Sequence, residues 1–159
     1  MIEIIDNFLP EEEFKSIQSL LLGEQFYWFY QRGRTSDDDG LYLMVHMFYQ
    51  PEVGDNSRHI HIWNTFMNKV EAKKCVRIKA NMTFRTITPE PTSYHNDYKD
   101  IKTAVFYINT NNGYTEFENG VRVNSVANRV CIFDTTLEHR GVTHTEGHPA
   151  RVVMNFNYE

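Results

Sequence analysis

The clearest pattern in the chain is an alternation of period two over residues 76–85. Val76, Ile78, Ala80, Met82 and Phe84 face one way, and Arg77, Lys79, Asn81, Thr83 and Arg85 the other, as in a strand with one apolar and one polar face. A second alternation follows Arg151, where Val152, Met154 and Phe156 share one parity while Asn155 and Asn157 share that of Arg151. Shorter apolar runs at residues 1–5, 41–49, 104–109, 113–117 and 130–133 read as further strands, and Asn111-Asn112-Gly113 and Glu118-Asn119-Gly120 as turns. The aromatic run 26–30 also suits a strand. Its alternate rings would fill the core, or Trp28 or Tyr30 would line a substrate groove.

Two segments have helical spacing instead. Phe14, Ile17, Leu20 and Leu21 follow Pro10 and three glutamates, Glu11, Glu12 and Glu13. Proline suits the first turn, the acids complement the positive end of the helix dipole, and Gly23 marks the stop. Ile62, Trp63, Phe66 and Val70 predict a second amphipathic helix running to Lys73. Helices first and short strands afterwards imply a mainly β fold with flanking helices. The expected architecture is a double-stranded β-helix, a cupin-like jelly roll, with both helices of the N-terminal half packed on one sheet.

Length and composition narrow the class. The 159 residues suit one domain, 1–159, and 41% hydrophobic with 23% charged residues describes a folded chain. A net charge of −5 argues against a nucleic-acid partner. Cys75 and Cys131 adjoin apolar runs and read as buried thiols in a reducing compartment, not as a disulfide framework. With no apolar stretch of membrane-spanning length and no basic-then-apolar leader, a soluble, cytoplasmic protein is expected. Residues 31–40, with Arg32, Arg34 and Asp37-Asp38-Asp39, form a solvated loop and a candidate lid.

The candidate chemistry lies in the second half. In an extended segment His95 and Asp97 project to the same side, about 6–7 Å apart, a gap that one metal ion can bridge. His139 follows the apolar run 130–133, and Arg151 comes twelve residues after it. Two histidines and a carboxylate on one side of a metal, with the opposite positions open, form the facial triad of non-haem Fe(II) oxygenases. A cation beyond the second histidine is what a dicarboxylate cosubstrate requires. His46 reads as a core histidine and His59 and His61 as surface or capping residues. His144 and His148 compete with His139, but His148 precedes Pro149 in an evident loop.

These motifs together resemble the Fe(II)/2-oxoglutarate-dependent dioxygenases, in particular their compact prolyl-4-hydroxylase-like branch. The resemblance runs from Phe8-Leu9-Pro10-Glu11-Glu12, through His95-Asn96-Asp97 and Phe106-Tyr107-Ile108-Asn109, to Phe133-Asp134 with His139 and Arg151. One departure is Gly113-Tyr114, where the family often has Gly-Gly. The resemblance implies Fe(II) on His95, Asp97 and His139, with 2-oxoglutarate chelating the metal beside a place for O2 and ascorbate as a candidate reductant. Arg151 would pair with the distal carboxylate of 2-oxoglutarate, Tyr107 would donate to it, and Asn81 and Asn155 would face the cosubstrate. Thr83, Asn157 and Trp28 are candidates for contact with the prime substrate.

The implied reaction couples decarboxylation of 2-oxoglutarate, to succinate and CO2, with hydroxylation of a C–H bond in a prolyl residue or a small amino-acid-like substrate. Two other readings remain open: a non-catalytic jelly-roll binding module, and a cupin-type metal enzyme that does not use 2-oxoglutarate. Oligomeric state is left open.

Overall fold

The computed structural model describes residues 1–36, 39–52, 54–55 and 57–159. In chain order its elements are β1 (Ile2–Ile5), α1 (Glu11–Leu21), β2 (Phe29–Arg32), β3 (Tyr42–Gln50), β4 (Gly54–Asp55), a 3-10 turn (Ile60–Trp63) and α2 (Asn64–Lys69). They continue with β5 (Cys75–Phe84), β6 (Lys102–Tyr107), β7 (Tyr114–Phe117), β8 (Arg122–Asn124), β9 (Arg129–Asp134), β10 (His139–Val142) and β11 (Ala150–Tyr158). The larger sheet runs β1-β9-β6-β11-β5-β3-β2 with β4 beside β3, and the smaller runs β10-β7-β8. All the pairings are antiparallel. This is the expected jelly roll.

β11 lies at the centre of the large sheet, between β5 and β6, and its two parities separate two environments. Val152, Met154 and Phe156 meet Ile78, Ala80, Ala104 and Phe106 in the core beneath the helices. Phe66 of α2 stacks on Phe156 with centroids 3.8 Å apart and planes 12° apart, and Trp63 meets the same ring edge-on at 5.1 Å. α1 contributes Phe14, Ile17 and Leu21 to that core. Its entry is fixed by Asn128, whose side chain accepts from Leu9 N–H and donates to Leu9 C=O, both at 2.9 Å. Val105, Tyr107, Cys131, Phe133 and Val153 of the opposite face close on Phe117 and Val123 of the small sheet.

Two elements differ from expectation. The second helix begins with the 3-10 turn and ends at Lys69, not Lys73. Glu71 takes a left-handed conformation, φ 53. Glu71 N–H then bonds Asn68 C=O and Ala72 N–H bonds Met67 C=O, the paired terminus that stops a helix. The aromatic strand is displaced to Phe29–Arg32, which ends the sheet order beside β3 among the described residues. Phe26 is buried, but Tyr27, Phe29 and Tyr30 are exposed.

Asp37 and Asp38 of the expected loop lie outside the described residues, as does Val53. Asp39 organises its loop by accepting from the N–H groups of Arg34 and Thr35 at 2.8 Å and of Leu41 at 2.9 Å. No helix among the described residues is long and apolar enough to cross a membrane.

Phe66→Ala removes a fully buried ring from the Phe156 stack. It should cost about 3–5 kcal/mol, read as a lower urea midpoint with little change in slope.

Candidate active site

His95 and His139 are brought together by their backbones. Each N–H donates to the other's C=O at 3.1 Å, closing a one-pair antiparallel bridge. Residues so opposed project to the same side, and the two rings lie 4.7 Å apart. Phe133 packs edge-on against His139 at 4.9 Å. Period two carries Asp97 to the same side, with Oδ1 3.9 Å from His95 Nε2.

The chain leading to His95 is held along β10. Thr143 N–H donates to Glu90 C=O and Thr92 N–H to Gly141 C=O. Arg140 covers the Tyr94 ring at 4.3 Å. Glu116 accepts from Arg140 and Arg122 at 2.7 Å and from the Tyr94 hydroxyl at 3.3 Å. The residue before His95 is thus pinned to the small sheet.

Asp97 is nearly buried and its Oδ2 lies 3.0 Å from Arg77 Nη2. Arg77 Nε donates to Asn157 Oδ1 at 3.0 Å, and Asn157 Nδ2 donates to Thr103 Oγ1 at 2.9 Å and, weakly, to Asp97 Oδ2 at 3.4 Å. Burial raises the Asp97 carboxyl, but the opposing charge of Arg77, then of the two histidines, leaves it below the ordinary range. Burial pushes His139 down to about 4, against the pull of Asp97. The set therefore offers an ionised carboxylate and a neutral imidazole at pH 7, the forms in which these side chains bind metal. His139 Nδ1 is buried without a hydrogen-bond partner among the described residues. Among the described residues no three His, Cys, Asp or Glu side chains are grouped so as to hold an ion, and Asp97 Oδ2 is engaged by Arg77. In donor chemistry, His95, Asp97 and His139 fit a divalent iron.

These side chains open into a cavity of about 120 Å³ between the sheets, also lined by Arg34, Arg77, Lys79, Asn81, Thr83, Asn155 and Arg151. Arg151 is 5% exposed, and burial works against its charge. Among the described residues its one side-chain hydrogen bond runs from Nε to Ser125 Oγ at 2.8 Å, and no carboxylate pairs with it. Its guanidinium lies over the Tyr107 ring at 5.8 Å. The space beside it depends on Gly113, where a Cβ would come 2.8 Å from Arg151 Cδ and 3.0 Å from Val142 O.

The sequence-derived residues divide by position. His95, Asp97, His139, Asn81, Thr83, Asn155 and Arg151 converge on one cavity, where Asn81 Oδ1 and Thr83 Oγ1 are buried without hydrogen-bond partners among the described residues. Tyr107 is fully buried beneath Arg151, its hydroxyl donating to Thr115 Oγ1 at 2.8 Å. Asn157, expected to touch substrate, instead stands behind Asp97 and joins it to Thr103 and Arg77, because the loop carrying Asp97 covers that end of β11. Trp28 packs against Phe26 and the helix-side core and is not among the residues lining the cavity.

Arg34, Arg77 and Lys79 were not singled out by sequence. The parity of β5 contained the signal for two of them, since Arg77 and Lys79 share a face with Asn81. Lys79 donates to Gln31 Oε1 at 2.8 Å, and burial lowers it from 10.5 to about 8.

No protein-family model matches this sequence, and no curated protein matches it. Solved structures do. A prolyl hydroxylase from Trichoplax adhaerens in complex with a hypoxia inducible factor peptide fragment superposes at TM-score 0.67, with 13% identity over 99% of this chain and 83% of that one. A 2OG-Fe(II) oxygenase family oxidoreductase from Burkholderia pseudomallei gives 0.68, with 11% identity over 99% and 84%. A Pseudomonas putida prolyl-4-hydroxylase gives 0.63, with 11% identity over 99% and 92%. The chain has the prolyl-4-hydroxylase-like fold of the 2OG-Fe(II) oxygenases.

Two substitutions test this geometry. Gly113→Ala should destabilise by about 1–3 kcal/mol, because the methyl meets both the Arg151 stem and a backbone carbonyl; denaturant melts read it. Lys79→Met should stabilise by roughly 1–3 kcal/mol at pH 7. Lys79 titrates lower in the folded state, so its penalty is complete below pH 8 and fades as pH rises from 8 to 10.5. The gain from Lys79→Met should shrink across that window in melts at stepped pH.

Proposed function

We propose that residues 1–159 form one catalytic domain, an Fe(II)/2-oxoglutarate-dependent dioxygenase that hydroxylates a C–H bond. The observation that carries this reading is the buried guanidinium of Arg151, which has no carboxylate partner among the described residues and opens into the cavity shared by His95, Asp97 and His139. An unpaired buried charge costs several kcal/mol, and a dicarboxylate cosubstrate removes that penalty. A cupin-type enzyme without 2-oxoglutarate has no use for such a cation at that depth.

His95, Asp97 and His139 hold the metal, and Arg77 and Asn157 orient Asp97 while holding it ionised. Bound iron supplies the activation of O2 by electron transfer, with 2-oxoglutarate as the co-reductant. Arg151 receives the distal carboxylate of 2-oxoglutarate in a bidentate pair; Ser125 fixes its Nε and the Tyr107 ring supports its plane. The Tyr107 hydroxyl reaches that carboxylate by exchanging its bond to Thr115. Asn81, Thr83 and Asn155 supply polar groups to the bound molecules, two of which lack partners at present. The walls of the two sheets limit water at the reacting carbon.

The products are succinate, CO2 and the hydroxylated substrate, with ascorbate as a reductant that restores Fe(II). We place the enzyme in a reducing cytoplasm, which suits a thiol buried in the core like that of Cys131. Peptide substrates enter this reading through the T. adhaerens hydroxylase, whose structure includes a peptide fragment.

Anaerobic addition of 2-oxoglutarate to Fe(II)-loaded protein should give a visible metal-to-ligand charge-transfer band that disappears in Asp97→Ala and His139→Ala. Arg151→Ala should weaken 2-oxoglutarate binding by on the order of 100-fold, through loss of a buried charge pair. Folded, iron-loaded protein that shows no band would falsify the oxygenase reading.

A further inference from the structure

Four cations line the cavity, Arg34, Arg77, Lys79 and Arg151, against one carboxylate, Asp97. Arg77 is paired with Asp97 at 3.0 Å. If the oxygenase reading above holds, Arg151 takes the distal carboxylate of 2-oxoglutarate, and Asp97 together with the chelating carboxylate balances the two charges of Fe(II). Among the described residues Lys79 then has no carboxylate within ion-pair distance, and Arg34 has only the half-exposed Glu90.

Neither is an ordinary surface residue. The Arg34 side chain is 9% exposed, with Glu90, itself 47% exposed, 3.8 Å away. That separation is too long for a hydrogen bond. Arg34 Nε donates to the Tyr42 carbonyl at 3.0 Å, but Nη1 is buried with no hydrogen-bond partner among the described residues. Lys79 satisfies one of its three protons on Gln31 Oε1 and projects from β5 two residues from Asn81. Arg34 approaches from the loop after β2. The two come from different elements to one cavity, which a merely solvated charged face does not produce.

We propose that Arg34 and Lys79 form the carboxylate subsite for the prime substrate, so that the molecule hydroxylated is a free amino acid or another small carboxylic acid. An internal prolyl residue of a neutral peptide offers nothing to neutralise this pair. The substrate carboxylate docks at the β2–β5 side of the cavity and leaves the carbon chain directed toward His95, Asp97 and His139. Glu90 competes weakly for Arg34 and is displaced when the acid binds.

The test is calorimetric titration of anaerobic Fe(II)·2-oxoglutarate protein with the twenty L-amino acids, their carboxamides and a neutral proline-containing peptide, alongside the charge-transfer band. At least one amino acid should bind, with its carboxamide ten-fold or more weaker. Arg34→Gln and Lys79→Gln should each reduce that amino acid's affinity at least ten-fold while the 2-oxoglutarate band persists; Lys79→Met serves if the glutamine variant does not fold. Equal binding of acid and amide, binding of the neutral peptide unaffected by these substitutions, or no acid bound at 10 mM overturns the carboxylate subsite while the band still supports the oxygenase. Absence of the band overturns the oxygenase reading separately, since the calorimetric comparison of acid and amide needs no turnover and is then made on the metal-free protein.

Discussion

Two backbone hydrogen bonds, exchanged between His95 and His139, are the constraint on which the site depends. They set two imidazoles side by side from positions far apart in sequence, and period two adds Asp97 without further instruction. Slippage of either segment by one residue would turn one of the histidines to the opposite face. Much of the surrounding structure guards against that slip. The bonds linking Thr92 and Glu90 to β10 extend the register, and Glu116 fastens Tyr94 through its two arginines.

The large sheet allows such a polar centre because its stabilising contacts are mostly on its other side. Beneath the helices, β11, β5 and β6 present only apolar side chains to a core of interlocked aromatic rings. The opposite side is shared between an apolar end, at Phe117 and Phe133, and a polar end containing buried arginines, a lysine and asparagines. Buried charges are poor contributors to stability. Their concentration beside His95 and Asp97 is understandable when ligands, and not the fold, complete them.

Much of this was legible in the sequence. The alternation in β5 and β11 set Asn81 with Thr83, and Asn155 with Arg151, on one face, because sheet parity is a local property, and the family resemblance implied that this face points inward. Local pattern could not reveal what loops and strand ends decide. Asn157 has the parity of Arg151, yet the segment carrying Asp97 lies across it. Trp28 follows Phe26 toward the helices because the strand begins three residues later than the aromatic run. Arg34 lies in a loop without periodicity, and its place in the cavity wall is a tertiary fact. The early stop of α2 was hidden for another reason: Glu71 adopts a backbone conformation for which glycine is the usual sign.

The position of β11 also bears on how the protein comes into being. The strand at the middle of the large sheet leaves the ribosome after every other strand of that sheet, so β5 and β6 emerge with facing edges that have no partner yet. β1 likewise waits for β9. A topology of such distant pairings folds slowly, and a nascent chain with open hydrophobic edges is vulnerable to association with its neighbours. Synthesis speed and chaperone supply, as much as sequence, would then govern how much active protein a cell obtains from this message.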